Sequence, residues 1–259
     1  MTLAPARPSE ALAAALDRTR PTRGLVEQLI ADPALLGPDF TPIRRLDATA
    51  PGLAPVLGWK ATGRGAPGTP VADTLTLLEH AAALGLVERR DWAFRAHTFD
   101  VAVESGISGE LHLTPEPDTF SSPCPPRLAV AVLRGRRALD VCAELHDDAF
   151  RDERRLLAAV DEMVSWGWHL VVADMDAENV PHVRRLAERI RPAYVQVDLA
   201  RPGRAQDPAL PAWVETAAEV GAAVMALGVT TSRDLETALE LGATYGRGSL
   251  LGRPVARPA

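Results

Sequence analysis

Lysine is almost absent from this chain. Lys60 is the single example in 259 residues, and arginine supplies the rest of the 28 basic side chains. Against 34 acidic groups they leave a formal net charge of −6, which argues against a surface built to grip nucleic-acid backbone. Cysteine is scarce too. Cys124 and Cys142 are the only two, too few for a disulfide-stapled secreted scaffold, so reduced thiols in a cytoplasmic protein are expected. No run of about 18 apolar residues occurs, so no membrane-spanning helix is expected. Residues 1–21 show no basic start leading into a long apolar core. Aromatic residues make up only 5% of the chain. Trp92, Trp166, Trp168 and Trp213 fall on helices or helix–strand junctions, where packing rather than a base-stacking platform is their expected use.

The hydrophobic share of 47% and charged share of 24% suit one large globular α/β domain. Residues 223–254 show its building unit. Ala223 to Val229 is a short, glycine-bounded apolar run like a buried strand. Thr230 to Asp234 carries helix-start signals. Leu235, Ala238, Leu239 and Leu241 then give an apolar stripe that Gly242 closes, and a second apolar stretch follows at Tyr245 to Leu251. The same alternation recurs upstream, with strands expected at 40–46, 56–61, 110–114, 138–145, 169–175 and 194–198. Helices are expected at 24–31, 73–84, 91–103, 152–166, 180–190 and 209–220, while 121–126 reads as a Pro-rich loop. About eight strands alternating with helices imply a parallel sheet, closed as a (β/α)8 TIM-like barrel over residues 38–259. Residues 1–37 read as an arm and a helix, with Ala11 to Leu16 the best helical part of the arm. In such a barrel, chemistry sits at the carboxyl ends of the strands.

Those strand ends carry a resemblance. Gly58-Trp59-Lys60-Ala61-Thr62-Gly63-Arg64 resembles the G-x-E-A-L-x-R segment of the EAL family of bacterial cyclic-di-GMP phosphodiesterases. Phe40-Thr41-Pro42-Ile43 resembles its Y-Q-P-I, Leu111-His112-Leu113-Thr114-Pro115 its V-N-V-S-P, and Glu144-Leu145-His146-Asp147 its E-I-T-E. Residues 167–176, ending Ala173-Asp174-Met175-Asp176, resemble the strand that ends in D-D-F-G. There the register is open, and Asp174 takes the second aspartate position in an ungapped alignment. Tyr194-Val195-Gln196-Val197-Asp198 resembles Y-I-K-I-D. Finally Ala226 to Thr231 resembles A-E-G-V-E-T, and Arg247-Gly248-Ser249 precedes Gly252-Arg253-Pro254 where the family has Q-G-Y or Q-G-W and G-x-P. The resemblance spans roughly residues 38–254 and implies a barrel of the EAL type.

The same segments imply lost activity. The family's reaction uses divalent cations held by oxygen ligands. By resemblance, Lys60, His112, Glu144 and Asp174 occupy metal positions, but Lys60 replaces a glutamate, His112 an asparagine, and Leu227 and Thr230 two further glutamates. Gln196 replaces the lysine that helps position the attacking water. Arg64, Asp198 and Arg247 are the candidate ligand-binding residues, Arg64 matching an arginine that contacts the dinucleotide. Lys60 and Arg64 read first as solvated strand-end charges; a second use for Lys60 is a salt bridge to Glu144 or Asp174 in place of the metal. A residual zinc site from His112, Glu144 and Asp174 ranks below that pairing. The expectation is a catalytically inactive, cofactor-free regulatory protein acting through an unidentified protein partner. The alternatives are a receptor that binds cyclic di-GMP without cutting it and, last, residual phosphodiesterase activity. Homodimerisation is implied by the resemblance alone.

Overall fold

A computed structural model describes residues 23–47, 50, 52–120, 122–173, 180–203, 207 and 210–258. The expected arm helix at Ala11 to Leu16 lies outside these residues. Helix α1 (Arg23–Ala31) buries Leu25, Val26, Leu29 and Ile30 as one apolar stripe, and these belong to the same core as the outer face of the sheet. The eight strands are β1 (Pro38–Arg45), β2 (Val56–Gly63), β3 (Glu110–Leu113), β4 (Asp140–Leu145), β5 (His169–Val172), β6 (Tyr194–Asp198), β7 (Ala223–Leu227) and β8 (Tyr245–Gly246). They close into a barrel in sequence order.

Seven strands share one direction, but β1 runs antiparallel to both of its neighbours, β2 and β8. The wholly parallel sheet expected from sequence is therefore corrected at its first strand. The reason is the link between β1 and β2: residues 46–55 are about ten, and a parallel crossover needs a dozen or more. From β2 onward, helices cross between strands. They are α2 (Thr74–Ala83) and α3 (Val87–Ser105), then α4 (Ala129–Ala138), α5 (Glu153–Ser165), α6 (Val180–Ile190), α7 (Leu210–Val220) and α8 (Ser232–Glu240).

Helix α4 had no counterpart in the sequence reading, which placed Ala138 in a strand; Ala138 ends the helix instead. Gly135, a poor helix former, sits in its last turns because α3 presses close: a Cβ there would lie 2.3 Å from Phe99 Cγ. Helix starts elsewhere follow local chemistry. Asp73 and Asp152 accept hydrogen bonds from Thr76 N and Arg155 N, both at 3.0 Å. Thr231 and Asp234 form a reciprocal capping box at the head of α8.

The apolar side chains divide into two bodies. The large one lies between strands and helices. The smaller one lies inside the ring and contains Ile43, Val171, Met225 and Leu227, which the strand period of two turns inward. Inward positions on β2, β3, β4 and β6 are polar instead. Buried there are Lys60, His112, Glu144 and Gln196, so one side of the barrel interior is greasy and the other carries charge.

Candidate functional site

The polar half of the barrel interior gathers at the carboxyl ends of β2, β3, β4 and β6. Lys60 is only 5% exposed, which corrects its reading as a solvated charge. Its ammonium lies 2.6 Å from Glu144 Oε2 and also donates to the Thr114 hydroxyl. Thr114 in turn donates to Glu144 Oε2 at 3.2 Å. The other carboxylate oxygen accepts from Gln196 Nε2 at 2.8 Å and faces His112 Nδ1 at 3.4 Å. Of the two carboxylates expected to meet Lys60, Glu144 does so. Asp174 lies outside the described residues.

Charge explains the titration of this cluster. Burial alone would raise the Glu144 carboxyl, but the Lys60 ammonium, His112 and the nearby Arg247 charge hold it well below the usual carboxylate range. Burial lowers Lys60 from the ordinary lysine value, with Glu144 opposing the shift and Arg247 adding to it. His112 is raised: burial would neutralise it, and the carboxylates of Glu110 and Glu144 on either side overcome that cost.

A divalent ion would sit about 2.0–2.6 Å from a carboxylate oxygen, the space that the ammonium fills at Glu144 Oε2. An ammonium has donors and no lone pair. The described residues around Glu144 thus do not fit an oxygen-ligated divalent ion while the pair stands.

The remaining sequence candidates divide. Arg247 follows β8 and acts electrostatically on Lys60, Glu144 and His146; its Nε is buried and has no hydrogen-bond partner among the described residues. Arg64 leans away toward β1, 3.1 Å from Asp39 Oδ2. Asp198 caps its own turn, accepting from Ala200 N at 3.0 Å. The fold therefore brings Lys60, His112, Glu144 and Arg247 to one place, and leaves Arg64 and Asp198 engaged locally. A cavity of about 380 Å³ opens beside Lys60, with Thr62, Arg90, Phe94, Glu116 and His146 in its wall.

Sequence reasoning passed over four further members of the interior cluster: Glu110, Thr114, Cys142 and Tyr194. Tyr194 donates to Glu110 Oε1 at 2.8 Å, and His112 Nε2 lies 3.0 Å from Glu110 Oε2. The signal was available. Glu110, His112 and Thr114 alternate along β3, so a strand there must turn all three to one face.

One reversed strand among eight, closed by crossover helices and with a polar cluster at the strand carboxyl ends, defines a TIM-like β/α barrel. Solved structures similar to it include EAL domains. The FimX EAL domain from Pseudomonas aeruginosa, bound to c-di-GMP, aligns with a TM-score of 0.71 at 15% identity, over 90% of this chain and 96% of that one. The PaMucR phosphodiesterase, in complex with c-di-GMP, gives 0.67 at 20% identity, over 88% and 95%. The Bacillus subtilis YkuI protein, with an EAL domain and in complex with substrate c-di-GMP and calcium, gives 0.65 at 16% identity; 90% of this chain covers 58% of that one. At these identities the likeness establishes the fold: this chain has the barrel fold seen in EAL domains. No model of a known family matches the sequence, and no curated protein does.

Proposed function

We propose that this barrel is a non-hydrolysing member of the EAL type, a regulator that works by engaging a protein partner. One observation carries the reading: the Lys60 ammonium, 2.6 Å from Glu144, stands where the resemblance puts a metal-binding glutamate. Hydrolysis of a phosphodiester by this class depends on divalent ions to generate hydroxide and to neutralise developing charge. A fixed cation neutralises the carboxylate but cannot deliver a bound water. Gln196 adds to this, since its amide is spent on Glu144, and Leu227 packs in the apolar half of the interior. With no hydrolysis to perform, the surface becomes the working part; Val130 and Leu133, exposed one turn apart on α4, are apolar groups a partner would cover.

A second reading, a metal-free receptor for cyclic di-GMP, is favoured by a different observation. Arg247 holds a buried Nε that has no partner among the described residues, and an arginine contacts phosphate without a metal. The structural counterparts FimX, PaMucR and YkuI were each solved with c-di-GMP. Incubation with cyclic di-GMP and magnesium or manganese tests the main reading: no linear product above the buffer control is expected, and accumulating product overturns it. Calorimetry with the dinucleotide in chelator separates the two readings, since heat supports the receptor and its absence leaves the partner-binding regulator.

A further inference from the structure

The amino-terminal end of the barrel interior holds a second cluster, opposite the mouth. Glu110 and His112 alternate on β3, and Cys142 on β4 is paired in register with His112. Strand geometry points all three inward. The Glu110 carboxylate, a His112 ring nitrogen and Cys142 Sγ all lie within 4.8 Å of one another. His112 and Cys142 are fully buried, while the Glu110 side chain keeps 14% exposure, giving the cluster an opening at that end.

We infer that Glu110, His112 and Cys142 form a site for a borderline transition ion of the zinc class. The donor set is the chemical argument. Thiolate, imidazole and carboxylate together select zinc or cobalt rather than magnesium or calcium. With bond lengths of about 2.0–2.3 Å and tetrahedral angles, ligand atoms around zinc stand about 3.5 Å apart, so small side-chain shifts bring these three into place. A separate observation supports the assignment. His112 Nδ1, on the other edge of the ring, has no hydrogen bond among the described residues and faces the buried Glu144 carboxylate at 3.4 Å. A carboxylate behind a histidine is the usual orienting partner for a metal-bound imidazole, and here it turns Nε2 toward Glu110.

Tyr194, 2.8 Å from Glu110, stands where a fourth ligand or a bound water would be held. In the metal-free protein the Tyr194 hydroxyl donates to Glu110, and the Cys142 thiol lies beside the same carboxylate. Binding releases the thiol proton and the proton shared by His112 and Glu110 to solvent, and the ion takes their place. The site shares His112 with the cluster at the mouth, and Glu144 backs that ring, but Lys60 contributes no ligand to it.

Titration of the full-length protein with cobalt chloride tests this. One ion per chain is expected, with a near-ultraviolet thiolate-to-cobalt charge-transfer band that added zinc removes. Cys124→Ser should keep the band and Cys142→Ser should lose it. If Cys142→Ser does not fold, Glu110→Gln serves, and its zinc affinity should fall at least about tenfold, the lower bound for even an outer-shell partner. Absence of the band in the wild-type protein overturns the inference. So does a band that follows Cys124, or a zinc affinity unchanged in Glu110→Gln. Lys60→Met separates the ligand set from the ammonium at the mouth: the band of the folded variant should match wild type, and a band lost there contradicts a site to which Lys60 contributes no ligand.

Discussion

Replacing Lys60 with methionine isolates the buried pair that organises the mouth. At 2.6 Å, the gross attraction between unit charges is about 6 kcal/mol for an effective dielectric of about 20. Desolvation of each ion offsets several kcal/mol of that, so the pair as a whole contributes little net stability. Its removal from one side only is different. Lys60→Met leaves the Glu144 carboxylate, 1% exposed, without its counter-ion, a change that typically costs about 3–5 kcal/mol. The amide of Gln196 and the hydroxyl of Thr114 still donate to it, which places the expected loss near the lower end, about 3 kcal/mol. At roughly 2–4 °C per kcal/mol for a chain near this size, the melting midpoint should fall by roughly 6–12 °C. Lys60→Met with Glu144→Gln removes both charges and should recover most of the loss. Urea titration followed by circular dichroism gives all three values. A cost below about 1 kcal/mol for Lys60→Met, the range of solvated surface pairs, would refute the reasoning.

Three further outcomes are expected. His112 has a raised pKa in the fold, so its stabilising contribution is complete below about pH 6.5 and is lost as pH rises through the folded value. Urea midpoints between pH 6 and 9 should therefore slope downward more in wild type than in His112→Asn; parallel curves would contradict this. Lys60, lowered in the fold, contributes the opposite slope between its folded value and about 10.4, and the comparison of the two proteins cancels it. Gly135→Ala should destabilise by about 1–3 kcal/mol through overpacking against Phe99, although alanine is the better helix former by about 1 kcal/mol; a stabilised variant would show that α3 and α4 yield. Thr231→Ala should lose about 1 kcal/mol with the capping box of α8, read as a shift in urea midpoint at constant slope.

The barrel was legible because its outer strands and helices obey simple periods. α6 and β6 fall on the residues that the apolar pattern marks, and α8 starts at the threonine that the capping signal indicates. The reversed β1 was hidden because strand pattern carries no direction; the shortness of the link before Val56 is what reveals it. α4 was hidden by Gly135 and by Val130 and Leu133, which break its amphipathic pattern by facing solvent. At the site, resemblance pointed to Lys60 and Glu144, and the alternation on β3 could have added Glu110 and Thr114. The contribution of Cys142 and Tyr194 was not readable, because it arises from three strands meeting inside the ring rather than from any one segment. Nor could the segment alone tell that Arg64 turns to Asp39 while Arg247 faces the mouth.

The proposed exchange of a metal for an ammonium at Glu144 is tested most directly by electron paramagnetic resonance of manganese added to the protein with cyclic di-GMP. The free-ion spectrum should keep the intensity it has in buffer. A loss of that signal corresponding to two ions bound per chain, abolished by Glu144→Gln, would contradict it.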